Sequence, residues 1–345
     1  MLVFHSEAAR LHDPSHFFRL GVQVPHPESA ERYRLLFDAV SRSGHELQSA
    51  GDHGTAPVTR VHDPDYLAFL QNAWEMAVIE GETGEEINTT QFAKLPPLQR
   101  PKTVRGLMGI YCSDTSTGIR AGTWSAVNAA AQTAISAAEA VAGGASVAYG
   151  LCRPPGHHAH RAHGSGFCFL NNAAIAADHL RQYHDRIAIL DIDVHHGDGT
   201  QRIFYERDDI LTVSIHAESE AYFPHFTGHA DERGIGDGAG FNRNIPLWHG
   251  AGDAEYLAAI KTGLDEITEY CPGALVVSLG LDAAADDPVG VLEVSQSGFQ
   301  SAAKMISQAG LPTVLIQEGG YPSENLQDNL IAFLAGFEGQ AEVIE

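Results

Sequence analysis

Residues 191–198 carry three aspartates and two histidines (Asp191, Asp193, His195, His196 and Asp198) directly behind the apolar run 187–190. Ionised groups at the end of a buried strand cost several kcal/mol unless paired. A metal cation is the simplest partner for so many acceptors. Asp193 and His195 are two residues apart, so on a continuing strand they would face one side. Asp282, behind the apolar run 274–280, can supply a third ligand. Three N/O ligands with an open position is the arrangement of a catalytic zinc site rather than a structural one. An isolated Asp-x-His is also compatible with an ion pair or a helix cap. His157 and His158, entered through the stiff Pro154-Pro155-Gly156, favour the metal reading. Two imidazoles in one cleft can divide labour: one takes a proton from the attacking water, and the other stabilises or donates charge. Asp191 and Asp198 are then free to fix their tautomers. Tyr321, after Gly319-Gly320, can donate to an oxyanion.

These residues need a scaffold that brings four strand ends together. Runs at 146–151, 187–193, 211–216, 274–280 and 313–318 read as buried parallel strands. Helical patterns at 122–142, 171–183, 254–270 and 295–310 alternate with them, as in a doubly wound α/β sheet. Two more helices are expected at 28–40 and 63–77, the second opened by Asp63-Pro64. In such sheets ligands bind beyond the carboxyl ends of the strands, where the polar residues above fall. Residues 81–121 are different: three prolines, little periodicity, and Lys94, Arg100, Lys102, Arg105 and Arg120 in one stretch. We read residues 1–345 as a single domain with 81–121 as an insertion loop.

The formal charge of −23, with 21 Lys and Arg in 345 residues, disfavours nucleic acid and anionic membranes as partners. No apolar run approaches the ~18 residues of a membrane span. The first residues are too short and polar for a secretory signal. The cysteines, Cys112, Cys152, Cys168 and Cys271, are scattered. A reduced, cytoplasmic enzyme without disulfides is expected.

RPPGHHA (153–159), GFCFLNNAAIAA (166–177), DIDVHHGDGTQRIFY (191–205), SLGLDAAADDPVG (278–290) and EGGY (318–321) resemble the zinc-dependent histone deacetylase superfamily. The likeness implies an arginase/deacetylase-like α/β fold, mostly parallel with helices on both faces. It implies one zinc held by Asp193, His195 and Asp282. By resemblance, His157 with Asp191 is the general base, and His158 with Asp198 the electrostatic stabiliser or acid. Tyr321 is the group that polarises the acetyl carbonyl. Gly166, Phe167 and Phe223 match the lining of the acyl channel. A structural potassium ion is implied as well, on the backbone of Asp191, Asp193 and His195 together with Ser214.

Within the superfamily, VFHSEAARL (3–11), FPHF (223–226), YER (205–207) and the GEEI…YC…GTW pattern are similar to bacterial acetylpolyamine amidohydrolases. There the insertion builds a dimer and narrows the entrance, so a homodimer or dimer of dimers is expected. The expected reaction is hydrolysis of small acetylated amines, such as acetylpolyamines, to acetate and free amine. Acetyl-lysine in peptides or proteins is the alternative. A carboxylate-bearing N-acyl substrate is another, suggested by Arg19, Arg105 and Arg120. Three rivals from the residues are a binuclear manganese hydrolase, a cysteine hydrolase using Cys152 or Cys168, and a non-enzymatic acetyl binder. The first would need a carboxylate where Gly197 stands.

Overall fold

The central sheet explains how distant parts of the chain meet. The structure is a computed structural model, and residues 1–19, 21–82, 84–93 and 99–339 of it are described. β1 (Leu2–His5) leads to the hairpin of β2 (His16–Arg19) and β3 (Val22–Pro25). α1 (Ala30–Arg42), β4 (Glu46–Ser49), α2 (Ala56–Val61) and α3 (Pro64–Glu80) follow, then α4 (Val104–Tyr111) and α5 (Thr123–Ala142). The second half alternates: β5 (Val147–Gly150), α6 (Asn172–Leu180), β6 (Ile187–Asp191), α7 (Asp198–Phe204), β7 (Ile210–Ala217) and β8 (Asn242–Leu247). α8 (Asp253–Tyr270), β9 (Ala274–Leu279), α9 (Gln296–Ser307), β10 (Thr313–Gln317) and α10 (Leu326–Phe337) complete it.

Eight strands form one all-parallel sheet in the order β4-β1-β5-β10-β9-β6-β7-β8. Alternate strand residues enter two separate cores. Leu190, Val277 and Leu315 pack with α1, α8, α9 and α10 on one face. Ile189, Val276 and Val314 pack with α3, α5 and α6 on the other. Strands buried on both faces must be apolar throughout, which is why these five runs stand out in the sequence. β5, β10, β9 and β6 are consecutive neighbours at the centre, so their four carboxyl ends open onto one place.

Several elements outside the expected set are short or polar, although α10 is a twelve-residue apolar helix. β1 and β4 span four residues each, and β8 contains Asn242, Arg243, Asn244 and Pro246. The insertion is more ordered than its composition implies. Thr103 caps α4 by accepting from the Gly106 N–H, and Val104, Leu107, Met108 and Tyr111 are buried. An antiparallel bridge between Ile87 and Ile119 closes its base. Lys94 lies outside the described residues. Asp63 caps α3, accepting from the Asp65 and Tyr66 N–H groups, and Gly81 ends it in the left-handed region. Among the described residues, no helix is long and apolar enough to cross a membrane.

Candidate active site

β6 ends at Asp191, earlier than the sequence pattern suggests. Asp193 and His195 therefore do not share a side through strand alternation. A turn beyond the strand brings them together. The Asp193 N–H donates to Asp191 Oδ1 (3.1 Å), and the His195 N–H donates to Asp193 Oδ1 (2.9 Å). Asp282 follows β9, and its Oδ1 accepts from the Val194 N–H at 3.0 Å. One donor atom from each of Asp193, His195 and Asp282 falls within 4.8 Å of the others.

The triad fits a divalent cation. Asp282 Oδ2 is buried, 3.3 Å from His195 Nδ1, and makes no hydrogen bond among the described residues. Gly319 leaves room above both carboxylates: a Cβ there would lie 2.0 Å from Asp282 Oδ2 and 2.5 Å from Asp193 Oδ2. The Gly319 N–H also donates to Asp193 Oδ2 at 2.7 Å. Burial would lower His195, but the Asp193 and Asp282 carboxylates push it up to about 9. Burial, then Asp193, raises Asp282. Two carboxylates and one imidazole this deep call for a counter-cation.

The tandem histidines stand beside the triad with rings 4.0 Å apart. His157 Nδ1 lies 3.0 Å from Asp191 Oδ2, and His158 Nδ1 lies 2.7 Å from Asp198 Oδ1. Their environments push their proton affinities apart. Burial opposes charge on His157, yet Asp193 and Asp191 outweigh it and raise the ring well above its ordinary range. Burial and then His157 lower His158 to about 4, against the pull of Asp198. Glu318, which the chemistry-first reading did not single out, fixes the backbone here. Its Oε2 accepts from the Gly156 and His157 N–H groups at 2.5 and 3.1 Å.

Tyr321 is buried beside a cavity of about 410 Å³. Its N–H donates to Asp287 Oδ2 at 2.8 Å, and Arg32 lies over its ring at 5.4 Å. Burial raises the phenol well above its ordinary value, so it stays a proton donor. Gly166 and Phe167 form one wall of the cavity and Phe223 another. Gly166 has φ +51°, and a Cβ there would lie 2.5 Å from His158 Cδ2. Phe223 meets His158 edge-on at 4.8 Å, and Phe167 meets Tyr321 at 5.8 Å. Tyr222, missed in the sequence, stacks on His195 at 4.8 Å. Its signal was adjacency to Phe223.

The basic residues separate. Arg19 lines the cavity and has no ion-pair partner among the described residues. Arg105 does not line it: exposed on α4, it pairs with Glu82 at 2.7 Å. Of the three arginines that suggest a carboxylate-bearing substrate, Arg105 thus stands off the cavity wall. It lies in the first turn of α4, whose other face is buried, and that turns it to solvent. Arg120 lies 3.6 Å from Glu85 and donates to the Asp13 carbonyl. Asp114 also lines the cavity, but both its oxygens accept bonds, from Ser116, Ser165 and the Gly166 N–H. All four cysteines are free. Burial pushes the Cys152 and Cys168 thiols well up, unlike an activated nucleophile.

Paired imidazoles backed by carboxylates, set against a metal-binding triad at parallel strand ends, define a hydrolase of the arginase–deacetylase class. The chain belongs to the histone deacetylase family, whose histone deacetylase domain matches residues 26–337. It is an amide-bond hydrolase, a deacetylase. It is 42% identical over 347 residues to acetylpolyamine amidohydrolase 1 of Pseudomonas aeruginosa, covering 99% of this chain and 100% of that one. It is 40% identical over 341 residues to an acetylpolyamine amidohydrolase of Burkholderia pseudomallei, covering 98% of each. The crystal structure of the acetylpolyamine aminohydrolase from Burkholderia pseudomallei superposes with a TM-score of 0.94 at 40% identity, covering 98% of both chains.

Proposed function

We propose that the protein is a zinc-dependent deacetylase of small N-acetylated amines. The observation that carries this is the convergence of Asp193, His195, Asp282 and Tyr321 beside one narrow aromatic cavity. Zinc held by Asp193, His195 and Asp282 would supply Lewis acidity toward the acyl oxygen and the attacking water. The chain's own groups do the rest. His157, fixed by Asp191, would accept the proton of the water at Nε2 once the cation offsets the Asp193 charge that otherwise holds a proton on the ring. His158, fixed by Asp198, stabilises developing charge or acts as the acid, and the leaving nitrogen gains the proton given up by the water. Tyr321 donates its hydroxyl to the oxygen that gains charge. Phe167 and Phe223 hold the extended acyl-amine chain and exclude water around it. Water adds to the amide carbon and the C–N bond breaks, leaving acetate and free amine. A potassium ion on the Asp191, Asp193 and His195 backbone with Ser214 belongs to the same reading; Ser214 is the β7 neighbour of Asp191.

Acetylpolyamines, the class named in the relatives, are the first substrates to try. A carboxylate-bearing N-acyl substrate is the second reading, favoured by one observation. Arg19 on the cavity wall has no ion-pair partner among the described residues, while Asp114 already accepts four bonds. Zinc-loaded protein should be assayed on acetylputrescine, acetylspermidine, an acetyl-lysine peptide and an N-acetyl amino acid. Fastest turnover of the acetylated diamines and polyamines supports the first reading. Fastest turnover of the N-acetyl amino acid, lost in Arg19→Ala, replaces it with the second. No acetate from any of them rejects both.

A further inference from the structure

Asp198 does more than hold His158. Its Oδ1 lies 2.7 Å from His158 Nδ1, and its Oδ2 lies 3.2 Å from His160 Nε2. One carboxylate thus bridges a buried imidazole at the cavity and a second, outer imidazole whose side chain is 19% exposed. His160 is held by its backbone. Its N–H donates to the His163 carbonyl at 2.9 Å, and its carbonyl accepts from His62 Nδ1 at 3.0 Å. The tautomer of His62 is set because its Nε2 accepts from the Asn171 N–H at 2.9 Å. The Asn171 side chain in turn donates to the His157 and Ala159 carbonyls and to Thr200 Oγ1. The His163 ring stacks on His160 at 4.2 Å and 19°, on the side away from the hydrogen-bonding edge. Arg161, the adjacent cation, reaches away to the Arg60 and Val61 carbonyls.

We propose that His160 is a positioning residue for the deacetylation reaction, locking the Asp198 carboxylate so that His158 keeps its orientation toward the cavity. This rests on the role given to His158 above. A carboxylate with one partner can swing about its terminal torsion, which is soft and roughly two-fold. With a donor on each oxygen, from two imidazoles of one loop that is tied down through the His160 backbone, it cannot. His158 Nδ1–H is then committed to Asp198, and Nε2 is left to face the reacting nitrogen. His160 touches no substrate, so its effect appears in turnover rather than in binding.

The test uses zinc-loaded full-length protein. His160→Ala should lower kcat about tenfold, in the range seen when outer partners of catalytic groups are removed, with KM within about twofold. His160→Gln, whose amide nitrogen can donate to Oδ2, should recover most of the loss. His163→Ala, which removes only the stacked ring, should leave kcat within about twofold. In an Asp198→Asn background, His160→Ala should add little, because the two act as a unit. Proton NMR gives a readout independent of turnover. The downfield His158 Nδ1–H resonance should shift or broaden in His160→Ala and stay in place in His163→Ala. Unchanged kcat in His160→Ala, a Gln variant no better than Ala, or fully additive effects with Asp198→Asn would each overturn the proposal. An inactive parent enzyme would instead strike the deacetylase reading itself. An active parent indifferent to His160 strikes only this inference.

Discussion

Replacing Gly319 by alanine tests the metal site without touching a ligand. Gly319 is not among the residues with positive φ, so alanine meets no backbone penalty and the effect is purely one of space. Its Cβ would lie 2.0 Å from Asp282 Oδ2 and 2.5 Å from Asp193 Oδ2, where real Cβ atoms essentially never come closer than 3.0 Å. Neither carboxylate can swing away freely. Asp193 Oδ2 is tied to the Gly319 N–H and Asp282 Oδ1 to the Val194 N–H. The overlap must therefore spread the two oxygens or shift the loop after β10. Overpacking of this kind costs about 1–3 kcal/mol, enough to lower Tm by a few degrees. Loss of ligand placement should weaken zinc binding by about 10–100-fold. Competition against a chelating indicator measures the affinity, and thermal denaturation of metal-free protein isolates the packing cost. An alanine variant that binds zinc within about twofold of the parent would show that ligands, cradle and metal had been wrongly joined.

Tyr321→Phe should reduce kcat about 10²–10³-fold with little change in KM, the usual effect of losing one oxyanion donor; steady-state kinetics that barely change would remove the tyrosine from the chemistry. Dialysis against a chelator should abolish acetate release and added zinc should restore it, whereas iodoacetamide should leave the rate intact, because Cys152 and Cys168 are buried with raised thiol pKa values. Away from the site, burial would raise Asp209, but Arg207 and Arg181 hold it down at about 2, against an ordinary 3.8. A carboxylate depressed in the folded state stabilises fully above its ordinary value and loses that contribution as pH falls through the folded one. Asp209→Asn should therefore flatten the decline of denaturant-measured stability between about pH 4 and 2; an equally steep decline would count against the ion pairs.

The sequence discloses what depends on local pattern and hides what depends on neighbours. β5, β6, β7, β9 and β10 are readable because burial on both faces leaves them almost without polar residues. β1 and β4 lie toward one edge of the sheet and are only partly buried, and α4 sits in a stretch whose prolines mask its apolar face. The residues with evident chemistry, Asp193, His195, Asp282, His157, His158 and Tyr321, lie close together, as their types suggest. Their geometry has a different origin from strand alternation, because β6 stops at Asp191. Glu318, Asp287 and Tyr222 stayed hidden because their roles are contacts with backbone or rings from other segments. Arg105 misled because charge reveals composition but not direction.

β10 is the last strand in the chain, yet it lies in the middle of the sheet, between β5 and β9. During synthesis the ribosome releases the two flanking portions first, and they must wait, with a gap between them, until residues 313–317 emerge. The same late segment brings Glu318, Gly319 and Tyr321 into place. Pairings of such long sequence separation form slowly. The catalyst therefore has no half-built form that works. A chain that stops short of Thr313 lacks both the central strand and Glu318, Gly319 and Tyr321, and should show no activity.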